Sequence, residues 1–105
     1  MNQKNPALQL LGIAKLSGNI KSGEAMVLEA VRDQSAELVI LANDASDGTK
    51  KKFTDKCTYY EIPVRMAFSK ESLAHAIGRD FVAMVAITEG GLAGKMLSLL
   101  DSENV

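Results

Sequence analysis

Apolar residues recur along this chain at spacings that mark out its elements. Leu8, Leu11 and Ala14 share one side of a helix, and Asn5 followed by Pro6 supplies an N-cap and a first helical residue. This predicts an opening helix that stops near Gly18. Ile20 lies in a brief extended piece. Val27, Leu28, Ala30 and Val31 then cover one side of a second helix opened by Gly23, with Glu24, Glu29 and Asp33 opposite. The run LVILA, residues 38–42, is apolar throughout, as suits a strand covered on both faces. Ser46 ends the segment NDAS as a helix cap. Beyond it Thr49, Phe53, Cys57 and Tyr60 recur at helical spacing, leaving Lys50, Lys51, Lys52, Asp55 and Lys56 exposed. IPVRMAF predicts a shorter strand after a proline break. Ser69 caps a helix that buries Leu73, Ala76 and Ile77 and closes at Gly78, FVAMVAI forms a second fully buried strand, and a last helix carries Leu92, Met96, Leu99 and Leu100.

Helices alternating with short apolar strands predict an α/β fold: a three-layer α/β/α sandwich around a small mixed, mainly parallel sheet with right-handed crossovers. With 105 residues and 47% apolar content, the chain supports one core and is short for two domains, so residues 1–105 read as a single domain with only the final DSENV frayed. Its apolar runs fall far short of a membrane span, and MNQKNPALQL lacks the regions of a signal peptide. A cytoplasmic protein with no membrane partner is the expectation.

Little here suggests catalysis. Gly18 to Gly23 has the spacing of a phosphate loop, but Glu24 and Ala25 stand where lysine and a hydroxyl residue would be needed, and a helix precedes it rather than a buried strand. GGLAG, residues 90–94, contains no dinucleotide fingerprint. His75 is the sole histidine and sits at the edge of a buried stripe, while Met26, Met66, Met84 and Met96 fall at apolar positions and read as core filler. Asp44, Asp47 and Glu89 have no metal-ligand spacing, and the single Cys57 reads as a structural thiol. The expectation is no catalytic residue, no metal and no cofactor.

A net charge of −1 gives no global field to draw the chain onto a polyanion, so the distribution of charge matters more than its sum. Lys50, Lys51 and Lys52, with Lys56 one turn on, form the densest positive cluster. A solvated helix face is the plain reading of such a run. In an α/β sandwich, however, the loops after successive strands gather at one edge, so these lysines, the NDAS segment and the helix start at Gly23 can share a surface. Lysines there neutralise phosphates while unpaired helix amides donate to a backbone.

SGNIKSGEA, AELVILANDAS, KKKFTDKC, IPV, AIGRDF and VAITEGG occur in the order found in a known family. The chain resembles the kink-turn RNA-binding ribosomal proteins, the L-seven-Ae and L-thirty-e group, and more narrowly a small bacterial YlxQ-like branch. The resemblance runs from about Leu10 to Leu100 by element order. It implies an α/β/α sandwich that docks the start of its second helix into the widened groove of a sharply bent RNA, while a loop before the last strand packs on an extruded base. On that reading Gly23 matches the glycine that opens the docking helix, the NDAS segment matches too, and Gly78, Arg79, Asp80 and Phe81 form the loop. The chain departs from the pattern where kink-turn binders place an Asn or Lys, an acidic or amide residue, and a helix lysine; here these are Ala25, Met26 and Glu29.

The sequence therefore leads to a non-enzymatic RNA-binding protein of ribosomal type. Its expected site is Lys21, Gly23, Glu24, Ala25, Lys50, Lys51, Lys52, Gly78, Arg79 and Phe81, with Phe81 or Arg79 stacking on an unpaired base. Structured RNA, ribosomal RNA among the candidates, and ribosome-associated proteins are the expected partners. The alternative is a protein-interaction module on the same fold, presenting Ala25 and Met26 as a small apolar surface.

Overall fold

A computed structural model describes residues 5–102. Elements follow in the order α1 (Pro6–Leu16), β1 (Ile20–Ser22), α2 (Glu24–Arg32), β2 (Leu38–Leu41), α3 (Asp47–Tyr60), β3 (Val64–Met66), α4 (Lys70–Ala76), β4 (Met84–Ile87) and α5 (Gly90–Ser102). The expected α/β/α sandwich is present. Asn5 caps α1 by accepting from the amides of Ala7 and Leu8 with Pro6 at the first position, and Ser46 and Ser69 cap α3 and α4. Of the tail expected to fray, Asp101 and Ser102 lie within α5; residues 103–105, like residues 1–4 of the opening segment, fall outside the described range.

Strands β2 and β4 form the centre of the sheet, and every residue in both is buried. Because strand side chains alternate between faces, each strand feeds two cores. Leu38 and Ile40 of β2 and Val85 and Ile87 of β4 pack under α1, α4 and α5, whereas Val39, Leu41, Met84 and Ala86 pack under α2 and α3 around Phe53 and Cys57. Each large apolar side chain buried this way contributes about 1.5–3 kcal/mol.

The spatial strand order is β1-β4-β2-β3. Three strands point the same way, but β4 inserts antiparallel between β1 and β2, so only the β2–β3 ladder is parallel. The sheet is mixed as expected, yet its hydrogen bonding is not mainly parallel. The chain leaves β3 and enters β4 at the same end of the sheet, with α4 between them, which sets β4 antiparallel to the other three strands.

Burial departs from the expected stripes in several places. In α1 the buried residues are Ala7, Leu10, Leu11 and Ala14, with Leu8 only partly covered, because α4 and α5 both pack against this helix. In α4 Ala74 is buried and Ala76 is only partly so, while His75 is exposed rather than at a buried edge. Met84 and Met96 fill the core, but Met26 and Met66 are 46% and 50% exposed, correcting their reading as filler. Met26 sits in the uncovered first turn of α2, and Met66 ends an edge strand. The last strand is shorter than FVAMVAI: Phe81 stands outside it. No helix among the described residues is long and apolar enough to cross a membrane.

Candidate functional site

Strands β1, β2 and β3 end, and β4 begins, at a common edge of the sheet. Four connections meet there, and backbone hydrogen bonds stitch them together. The Gly23 amide donates to the Met84 carbonyl at 3.3 Å, Ala42 to Ala83 at 2.8 Å, and Asn43 to Phe68 at 2.7 Å. The Lys70 amide then donates to the Asp44 carboxylate at 2.8 Å. This rim is a framework set by main-chain pairing.

Helices α2, α3 and α4 all open toward the rim, so their partial positive ends point the same way. Ser46 and Ser69 spend their hydroxyls on the first turns of α3 and α4, whereas no side chain caps α2 at Gly23. Gly23 holds φ +88° and ψ 158°, a conformation nearly confined to glycine, and a Cβ there would meet nothing within 4 Å. Backbone shape, not crowding, demands glycine. Gly78, at φ +70°, likewise turns the chain out of α4 into the loop that carries Arg79 and Phe81.

Of the expected site residues, the structure brings Gly23, Glu24 and Ala25, the α3 lysines, and Gly78, Arg79 and Phe81 to this rim. Phe81 is 86% exposed, a ring held in water beside the start of β4. Lys52 bridges to Glu24 at 3.1 Å, joining α3 to the first residue of α2, and Lys51 bridges to Asp55 at 3.1 Å. Both pairs are largely solvated, so each is worth under about 1 kcal/mol and opens readily to a stronger anion. Lys50, half-buried, and Arg79, exposed, hold no ion pair among the described residues. Lys70, which the sequence reading did not select, is exposed at the same edge as the first residue of α4.

Lys21 does not join them. Ile20 packs into the α1, α4 and α5 core, so alternation turns Lys21 to the α2 face, where its charge acts on Asp33 at the far end of α2. Asp33 is held below the usual carboxylate range chiefly by hydrogen bonds from Ser35, with Lys21 adding to the effect. Glu29 also lies down α2, in a shallow groove with Ala25, Leu28, Arg32 and Asp33. The acids considered as cation ligands are dispersed: Asp44 holds the Lys70 amide at the rim, and Glu89 caps α5 at the opposite edge by accepting from Gly91 and Leu92. Among the described residues no group of three or more His, Cys, Asp and Glu is placed to hold a metal ion. Cys57 is fully buried, and burial pushes its thiol up to about 11, where little thiolate forms at neutral pH.

The fold has counterparts among known proteins. A protein of unknown function from Bacillus halodurans C superposes with a TM-score of 0.90 at 36% identity, covering 93% of this chain and 99% of that one. The Giardia lamblia 15.5kD RNA binding protein shares the fold at a TM-score of 0.77 and 24% identity, over 90% of this chain and 84% of its own. In sequence, the RNA-binding protein YlxQ of Bacillus subtilis (strain 168) is 44% identical over 92 residues, 88% of this chain and 92% of that protein. The RNA-binding protein YlxQ of Enterococcus faecium is 36% identical over 103 residues, 96% of this chain and 99% of its own. Residues 6–96, from the first residue of α1 into α5, match a single family model, and the chain belongs to the ribosomal protein L7Ae/L30e/S12e/Gadd45 family.

Proposed function

We propose that this chain is a non-enzymatic RNA-binding protein, one domain spanning residues 1–105, that works in the cytoplasm on structured RNA of the ribosomal kind. The observation that carries this reading is the convergence at one sheet edge of three things a folded RNA needs. These are an uncapped helix start at Gly23, cations at Lys50 and Arg79 that hold no ion pair among the described residues, and a solvent-held ring at Phe81. Main-chain amides and lysines meet phosphates and fix register, and Phe81 stacks on an unpaired base. The names of the relatives agree with this.

Base-edge recognition does not come from Ala25, which has no polar side-chain atom, or from Met26, whose thioether is only a weak acceptor. The RNA is therefore selected by shape and by an extruded base. Lys51 and Lys52 join as their surface bridges to Asp55 and Glu24 open on phosphate contact. Crosslinking the protein in cells and sequencing the attached RNA identifies the target. On that RNA, Phe81→Ala should weaken binding by about 1–3 kcal/mol, and Lys50→Glu should weaken it while flattening the salt dependence. Unchanged affinity in both variants would refute the rim as the RNA site.

One observation favours a second reading, a protein-contact module: Met26 is nearly half exposed beside Ala25 in the first turn of α2. A partner retained after nuclease treatment and lost in Met26→Lys would favour it.

A further inference from the structure

Away from the rim, the solvent side of α3 carries a shallow groove of about 470 Å³ lined by Lys52, Asp55, Lys56, Tyr59 and Tyr60. Lys52, Lys56 and Tyr59 stand four and three residues apart, so they share one helix face and descend the axis in steps of about 6 and 4.5 Å.

The chemistry of this face is specific. Asp55 is the sole acid in the lining, and it is paired with Lys51 at 3.1 Å. Lys56 holds no ion pair among the described residues. Tyr59 is 78% exposed, and its ring meets Tyr60 in an edge arrangement at 4.9 Å and 84°. Tyr60 packs against the α2 and α3 core, so it braces Tyr59 while leaving most of that ring in water. Two cations about one helical turn apart, leading to a braced aromatic ring, are what a single strand uses, with lysines following the phosphates and the ring taking a base. A duplex offers Tyr59 no unstacked base.

Lys52 ties the groove to the rim, because the same ammonium that lines the groove bridges to Glu24 at the start of α2. We infer that the α3 groove is a second RNA subsite, taking a single-stranded segment that leaves the structure held at the rim and runs over Lys52 and Lys56 to stack on Tyr59. This rests on the RNA-binding reading above and extends it over about two turns of α3.

The test compares two synthetic RNAs by fluorescence anisotropy: a stem interrupted by an unpaired bulge, and the same stem carrying about six adenosines at either end. For the wild-type protein the tail should tighten binding by about fivefold or more. Tyr59→Ala and Lys56→Ala should each remove most of that gain while leaving affinity for the tail-less stem within about twofold, and Tyr59→Phe should keep it. Both positions face solvent or are only partly covered, and circular dichroism of each variant verifies that α3 is intact. If the bulged stem binds and neither tail adds affinity, or the gain survives Tyr59→Ala, the groove is not a subsite and the rim reading stands. If the wild type binds neither RNA, both readings fall together.

Discussion

At the scale of single residues, Gly23 does more than any side chain at the rim. It is the point where β1 becomes α2, and its amide reaches across to Met84 at the start of β4. Its backbone angles lie in a region that an L side chain adopts only with strain of order 1–3 kcal/mol. Because a Cβ would meet no neighbour, Gly23→Ala isolates that backbone cost from steric clash. The expected result is a loss of about 1–3 kcal/mol in urea unfolding, accompanied by weaker RNA binding as the helix start turns away from the rim. A neutral stability effect would mean that α2 reaches its place by other means. Lys21 teaches the opposite lesson. Its type and position beside Gly23 suited phosphate contact, but which way it points is decided by strand alternation, and the burial of Ile20 sends it toward Asp33.

Among the elements, α5 depends on Glu89 for its start. The Glu89 carboxylate accepts from the amides of Leu92 at 2.7 Å and Gly91 at 3.1 Å, and these bonds hold its pKa below the ordinary glutamate value of 4.5. A group whose folded pKa is depressed adds stability above its unfolded pKa and loses it as pH falls through the folded value. Glu89→Ala should therefore lower the melting temperature at pH 7, and the gap between variant and wild type should close as pH drops below 4.5. Thermal melts across that window decide the matter: a gap independent of pH would mean that Glu89 acts through packing alone. Such caps are what made the helices legible. Asn5-Pro6, Ser46 and Ser69 announced three helix starts through local chemistry that needs no distant partner. The strands within LVILA and FVAMVAI were equally plain as unbroken apolar runs, though the second is shorter than its run. What could not be read was the direction of β4, since its two ladders depend on residues far away in sequence, or the release of Phe81 from that strand. The rim was partly legible, because loop convergence follows from the fold class. Tyr59 went unnoticed: Tyr60 alone falls on the helical stripe, and only the packing of α3 shows the neighbouring ring braced in water beside it.

For the whole molecule, charge is the quantity that separates local from global attraction. With 12 Lys and Arg against 13 Asp and Glu, the protein cannot steer RNA from a distance, so the salt dependence of binding reports only contacts formed at the surface. At the rim Lys50, Lys70 and Arg79 are free of ion pairs among the described residues, whereas Lys51 and Lys52 begin in bridges. Phosphate contacts from those three free cations give a slope of about −2 to −3 for log K against log salt, roughly 20- to 60-fold in affinity between 50 and 200 mM; Lys51 and Lys52 add little, because each that turns to a phosphate strands a carboxylate that takes up a cation. That slope is the expected result for a structured RNA without a single-stranded tail. Removing the Glu24 carboxylate releases Lys52 without adding a cation, so Glu24→Gln should tighten binding at low salt and steepen the slope by nearly one. Anisotropy titrations across this salt range, run side by side on wild type and variant, provide the measurement. A wild-type slope of −6 or steeper would require more cations than the rim has, and a slope unmoved by Glu24→Gln would place Lys52 away from the bound phosphates.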